Sequence, residues 1–209
     1  MRAKRIRQVQ ALTLAAALVG WGIAVKPRMS GPPRPLLQAA LGTALVVITR
    51  APLGLRPPAL RSGVRLGLTA SAAVAVAVTA ATAAPAIRTA LAARPVPEPV
   101  PHWLLLRIPV GTVWSEEAAF RAALATVATE AFGPRWGQLL QAGAFGLWHI
   151  PDARSAGEPV IGTVLVTGAA GWVCGWLQER SGSLAAPMLA HLAVNEAGAV
   201  AALALQRRR

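Results

Sequence analysis

Apolar residues in this chain come in long runs cut by short stretches of proline and arginine, and the lengths of those runs set the first expectations. Residues 9–25 (VQALTLAAALVGWGIAV) form the first run, near the lower length limit for a helix that crosses a bilayer. A break with Pro27, Pro32, Pro33 and Pro35 leads to a shorter run at 36–49. The third, 66–87, is almost wholly Ala, Val and Thr and apolar on every face, as in a buried or lipid-facing helix. Alternating prolines at 94–101 (RPVPEPVP) forbid helix and mark a linker. Beyond it, helices are predicted at 103–131, 136–150, 159–179 and 184–205, the first either one long helix or two broken near Gly111. Gly133-Pro134, Pro151-Asp152 and Ser181-Gly182-Ser183 are the expected breaks between them.

The fold class expected from these runs is all-α, a polytopic transmembrane bundle of about six to eight helices. Its parts would be N-terminal transmembrane helices over 1–93, the linker 94–101, an informative core over 102–206 and a basic tail at 207–209. Composition agrees. Hydrophobic residues make up 55% of the 209-residue chain and charged residues 14%, against about 25% charged in soluble domains.

The net charge is +13, from 21 basic and 8 acidic residues. Arginines cluster at the ends of apolar runs (Arg2 to Arg7, Arg50 to Arg65, Arg207 to Arg209), where cations meet anionic lipid headgroups. That placement points to anionic lipids as partners and away from nucleic acid. Cys174 is the single cysteine, so no intrachain disulfide exists. With no convincing cleavage site after it, residues 9–25 read as a retained signal-anchor helix. The expected location is an integral, multi-pass position, in the plasma membrane if the chain is bacterial.

Polar residues inside apolar segments narrow the picture further. His149 and His191 fall within hydrophobic helices, the chain's one asparagine, Asn195, follows His191 by four residues, and Glu116 and Glu117 are adjacent in another apolar segment. Ionisable groups at membrane depth are costly and face a bundle interior or a wet cavity. Glu117–Arg121, Phe145–His149 and His191–Asn195 share the spacing that stacks two residues on one helix face. An ion pair to Arg121 would anchor Glu117 and leave Glu116, about 100° round an α-helix, free for another task. A carboxylate withdrawn from bulk water can act as general base on a water that a histidine also holds. A second histidine and an amide can stabilise the oxyanion of a tetrahedral intermediate. Such parts make a hydrolase for an acyl bond with no covalent nucleophile.

The ordered set E-E-x-x-x-R (Glu116, Glu117, Arg121), F-x-x-x-H (Phe145, His149) and H-x-x-x-N (His191, Asn195) resembles the CPBP family of membrane proteins. That family comprises the CAAX prenyl endopeptidases and the bacteriocin-processing or immunity (Abi) proteins. The likeness covers roughly residues 100–200, and Ala122 stands where many relatives have Gly. The resemblance implies an intramembrane endopeptidase acting on a peptide or protein in the membrane. Glu116 would activate water with His149, and His191 with Asn195 would hold the oxyanion. Glu117 and Arg121 would support them, with Phe145 as a packing residue. The resemblance also raises zinc, for which Glu116, His149 and His191 would be the ligands. The chain lacks an H-E-x-x-H pair, so a metal-free mechanism without cofactor is expected. Two other classes remain open at this stage: a non-catalytic membrane binding or immunity protein, and a small proton-coupled transporter.

Overall fold

The computed structural model describes residues 2–29, 31 and 33–207, so Pro32 of the first break and Arg208 and Arg209 of the basic tail lie outside the described residues. Proline and positive backbone angles set most element boundaries. Helix α1 (Arg2–Gly20) runs on through a π turn at Trp21–Val25 and a 3-10 turn at Lys26–Arg28. Helices α2 (Arg34–Thr49) and α4 (Pro85–Ala93) each carry proline in the first turn, where its missing N–H costs nothing. The same holds for α7 (Pro134–Trp148) and α8 (Ile150–Ala156). Between them stand α3 (Ala59–Ala81) and a continuous rod, made of α5 (Val100–His102), π-helical stretches at Trp103–Trp114 and Glu117–Leu124, and α6 (Ala125–Phe132). Helices α9 (Val160–Ser181) and α10 (Ala185–Gln206) complete the bundle. Gly133, Gly157 and Gly182, at φ 83, 69 and 69, end α6, α8 and α9 in backbone that other residues adopt only at a cost.

Several expected boundaries move, each for a physical reason. The third helix begins at Ala59 rather than at residue 66, because Arg61 and Arg65 occupy its first turns and mask the apolar run. Pro85 then starts a separate helix, so the expected segment 66–87 is divided. The rod does not break at Gly111. There the absent side chain lets Pro35 of α2 approach, and a Cβ would stand 2.8 Å from the Pro35 Cβ. The expected helix 136–150 ends at Trp148, and Pro151 opens α8 in place of breaking the chain. His149 therefore sits at a corner between two helices (φ −89, ψ 2) and not within one.

Two kinds of surface follow. Inside, the rod presents small side chains: Ala118, Ala122, Ala123 and Ala128 are 0% exposed, with Ala119 and Ala131 nearly so. These alanines let α1, α2 and α7 press close to the rod's backbone. Along the α3–α10 seam Gly67 does the same, since a Cβ there would come within 2.9 Å of Leu189, and Ser71 Oγ donates to the Leu189 carbonyl at 3.0 Å. Outside, large apolar residues face outward on α2, α3 and α9, among them Ile48, Val76, Ile161, Leu165 and Val166. Four helical spans, Arg2–Arg28, Ala59–Ala81, Val160–Ser181 and Ala185–Gln206, are long and apolar enough to cross a membrane. An all-α bundle with greasy outer faces and span-length helices is an integral membrane protein.

Candidate active site

Glu116 lies at the joint between the two π-helical stretches of the rod. Pro109 has no N–H to give the ladder of the first stretch, and Ser115 Oγ donates to the Gly111 carbonyl at 2.6 Å. Here the backbone is wound in the i→i+5 register, a winding found chiefly where function places it. Both glutamates point inward: Glu116 is 5% exposed and Glu117 0%.

Glu117 is held on two sides. Arg121 Nε faces its Oε2 at 3.2 Å with both side chains fully buried, a charge contact whose angles do not make a hydrogen bond. Its Oε1 accepts from His191 Nδ1 at 2.7 Å. A carboxylate accepts at that position, so the His191 proton resides on Nδ1 and Nε2 is left for the site. Arg121 also stacks on Phe145, its guanidinium carbon 3.8 Å from the ring centroid.

His149 is held differently. Its Nδ1 meets the Phe145 carbonyl at 2.8 Å, which again puts the proton on Nδ1 and turns Nε2 inward. Phe145 packs edge-on against both imidazoles, with centroids 4.6 Å from His149 and 6.2 Å from His191. One ring thus spaces the two histidines and carries the arginine. Gly171 makes room for it, because a Cβ there would lie 2.9 Å from the Phe145 ring.

The two Nε2 atoms converge on one oxygen. Glu116 Oε2 lies 3.9 Å from His149 Nε2 and 4.0 Å from His191 Nε2, and has no hydrogen-bond partner among the described residues. Those separations are too long for direct hydrogen bonds and suit a small oxygen species bridging Glu116 Oε2 to a histidine. The other carboxylate oxygen, Oε1, accepts from Trp148 Nε1 at 3.3 Å. Asn195 Nδ2 donates to the His191 carbonyl at 3.1 Å, leaving its second amide hydrogen for the cavity. A direct shared contact of Asn195 and His191 side chains was not needed for both to face the same space.

That space is a cavity of about 550 Å³ lined by Glu116, Arg121, Phe145, His149, His191 and Asn195. Its remaining wall is apolar, with Ala73 and Val74 from α3 and Val173, Trp176 and Leu177 from α9. Val173, Trp176 and Val194 also reach the outer surface, so the cavity communicates with the lipid-facing side.

Glu116, His149 and His191 are also the residues that could hold a metal. Around tetrahedral zinc with ligands at 2.0–2.1 Å, neighbouring ligand atoms stand about 3.3 Å apart. The separations of 3.9 and 4.0 Å are wider than that shell. Among the described residues no group of three or more His, Cys, Asp and Glu is placed to hold a metal ion.

Two participants escaped the sequence reading. Trp148, in no motif of the sequence, donates its indole N–H to Glu116. A buried indole needs an acceptor, and that was the available signal. Lys26, at the far end of α1, sits over the Trp148 ring at 5.0 Å and pairs with Asp152 at 2.7 Å. The pairing of Asp152 with a lysine 126 residues away leaves no local trace in the sequence.

Among known proteins, residues 98–197 match the family model described as Type II CAAX prenyl endopeptidase Rce1-like, a little under half of the chain. All the site residues on the rod, α7 and α10 fall within that stretch, and Lys26 falls outside it. No curated protein and no solved structure matches the chain.

Proposed function

We propose that this chain, whose residues 98–197 match the family model described as Type II CAAX prenyl endopeptidase Rce1-like, a family of peptidases, is a multi-pass intramembrane endopeptidase whose nucleophile is a water activated by Glu116. The observation that supports this most is the convergence of His149 and His191 Nε2, at 3.9 and 4.0 Å, on the unpartnered Glu116 Oε2. A substrate water in that triangle donates one proton to Oε2 and a second hydrogen bond to His149 Nε2. The Trp148 bond to Oε1 directs the basic lone pairs of Glu116 toward the water.

Proton transfer to Glu116 lets the water oxygen add to the scissile carbonyl carbon. The resulting oxyanion takes hydrogen bonds from the Asn195 amide and from His191 Nε2–H. That second donor needs His191 to enter the cycle as the imidazolium, its Nε2 proton taken from solvent before the water adds and kept throughout, with the Glu117 carboxylate on Nδ1 balancing the charge. Collapse breaks the C–N bond, and the proton held by Glu116 passes to the leaving amine. No step uses a metal. The apolar wall and its opening toward lipid suit an extended peptide that arrives within the membrane, and the family's description suggests one bearing a prenyl group.

Cleavage of a peptide library by the purified protein in detergent tests the reading. Glu116→Gln should abolish turnover, with at least about a thousandfold loss, and exhaustive chelation should leave wild-type activity intact. Cleavage that persists in both Glu116→Gln and His191→Ala would sink the mechanism. A biological activity that survives in Glu116→Gln would favour a binding protein that retains the cavity.

A further inference from the structure

A second concavity lies away from the catalytic cavity. Arg61, Ser62, Arg65 and Thr69 on the first turns of α3 and Arg180 on the last turn of α9 line a hollow of about 660 Å³. The two helix ends meet because the extended segment before α3 pairs with the α9–α10 corner: Leu184 N donates to the Leu53 carbonyl at 2.9 Å. Close packing of Gly63 against Ser183 holds the same junction. Among the described residues, none of the three guanidiniums has a carboxylate within 4.0 Å. Glu179, next to Arg180, is exposed and does not line the hollow. Three unpaired arginines and two hydroxyls around one concavity are an anion receptor, and the positive end of the 23-residue α3 adds to it.

Depth in the membrane decides which anion. Arg61 and Arg65 occupy the start of a span-length helix, the level of lipid headgroups. On the same helix Val64 and Leu68 are exposed apolar residues at 37% and 56%, directly beside the arginines and facing outward. Leu66 lies in the wall of the hollow itself. Charge at headgroup level with an apolar strip running inward matches an acidic phospholipid, where a free phosphate would leave the strip unused.

We propose that the Arg61–Arg65–Arg180 hollow binds the phosphate of an anionic phospholipid headgroup, with the lipid's acyl chains lying along the outer face of α3. Thr69 in the hollow adjoins Ala70 in the catalytic cavity wall, and Leu177 of that wall is one helical turn from Arg180. A lipid held there would border the cavity's lipid-facing side. Nothing in this assignment depends on the peptidase chemistry.

The full chain, reconstituted with phosphatidylcholine alone or with added phosphatidylglycerol, can be released into native mass spectrometry and its retained lipids counted. Retention of phosphatidylglycerol over phosphatidylcholine is expected, with at least about tenfold weaker retention in the triple variant R61Q/R65Q/R180Q. R2Q/R5Q/R7Q, which removes three exposed arginines elsewhere, should retain lipid as wild type does. Arg180→Gln alone, at an exposed position in the last turn of α9, should weaken retention measurably without endangering the fold. Equal losses in the two triple variants would overturn the site in favour of diffuse attraction. Displacement of the lipid by soluble glycerol phosphate at matched concentration would overturn it in favour of a free phosphate ligand. Wild-type retention in both R180Q and R61Q/R65Q/R180Q would remove the site altogether.

Discussion

Two histidines present Nε2 to the same carboxylate oxygen, His149 from a corner between α7 and α8, His191 from within α10. Behind His149 stands a neutral carbonyl, that of Phe145; behind His191 stands the carboxylate of Glu117, itself in charge contact with Arg121. A carbonyl fixes the tautomer and does little for a positive ring, whereas a carboxylate does both. In the proposed mechanism the pair would divide the work that Glu116 needs: one ring would accept from the water, and the other would carry charge toward an oxyanion. Similar spacing in sequence conceals this difference.

Substitutions put that contrast to the test. The largest effect after loss of Glu116 itself should come from His191→Ala, about a thousandfold in kcat, with His149→Ala nearer a hundredfold. Equal losses would remove the division of labour. Glu117→Gln should cost about a hundredfold in the wild-type background and almost nothing further in His191→Ala, because it acts through that ring. A double-mutant cycle measures the coupling. Independent losses at 117 and 191 would mean that Glu117 serves the fold alone. Trp148→Phe removes the donor to Oε1 and should lower kcat about tenfold with KM little changed, as expected for one hydrogen bond to a charged group. Smallest of all, Lys26→Gln should change activity less than about threefold and stability by about 1 kcal/mol or less. Lys26 itself is nearly buried, but its partner Asp152 is half exposed, so the carboxylate left behind stays hydrated and little is lost. Thermal unfolding in detergent and the same cleavage assay report both.

Much of the candidate site is legible in the sequence for one reason: polar side chains are scarce in an apolar chain, so each one inside an apolar segment stands out. Glu116, Glu117, Arg121, His149, His191 and Asn195 stand out that way; five of them line one cavity, and Glu117 lies outside it, in contact with His191 and Arg121. Turn chemistry at Gly133-Pro134 and Gly182 located two helix ends for equally local reasons. What escaped is non-local or silent in side-chain character. The π register of the rod is a choice of backbone hydrogen bonds, which hydropathy does not encode. Proline both ends and begins helices, so Pro151 was read as a break although it starts α8. Arg61 and Arg65 hid the first turns of α3 because their charge interrupts an apolar pattern without interrupting the helix. Lys26 reaches the site through an aromatic face and a distant aspartate, and no motif carries such a link.

The alanines of the rod carry a consequence for how this protein can evolve. At Ala118, Ala122, Ala123 and Ala128, each 0% exposed, every residue but glycine is larger than the one present. Nearly all random change there is overfilling, at about 1–3 kcal/mol each, while the outward faces of α3 and α9 can exchange one apolar residue for another freely. Deep mutational scanning should thus trace a narrow intolerant stripe down residues 118–131 beside broad permissive flanks. The stripe would be set by backbone proximity, and it would appear even in a lineage that had lost the chemistry.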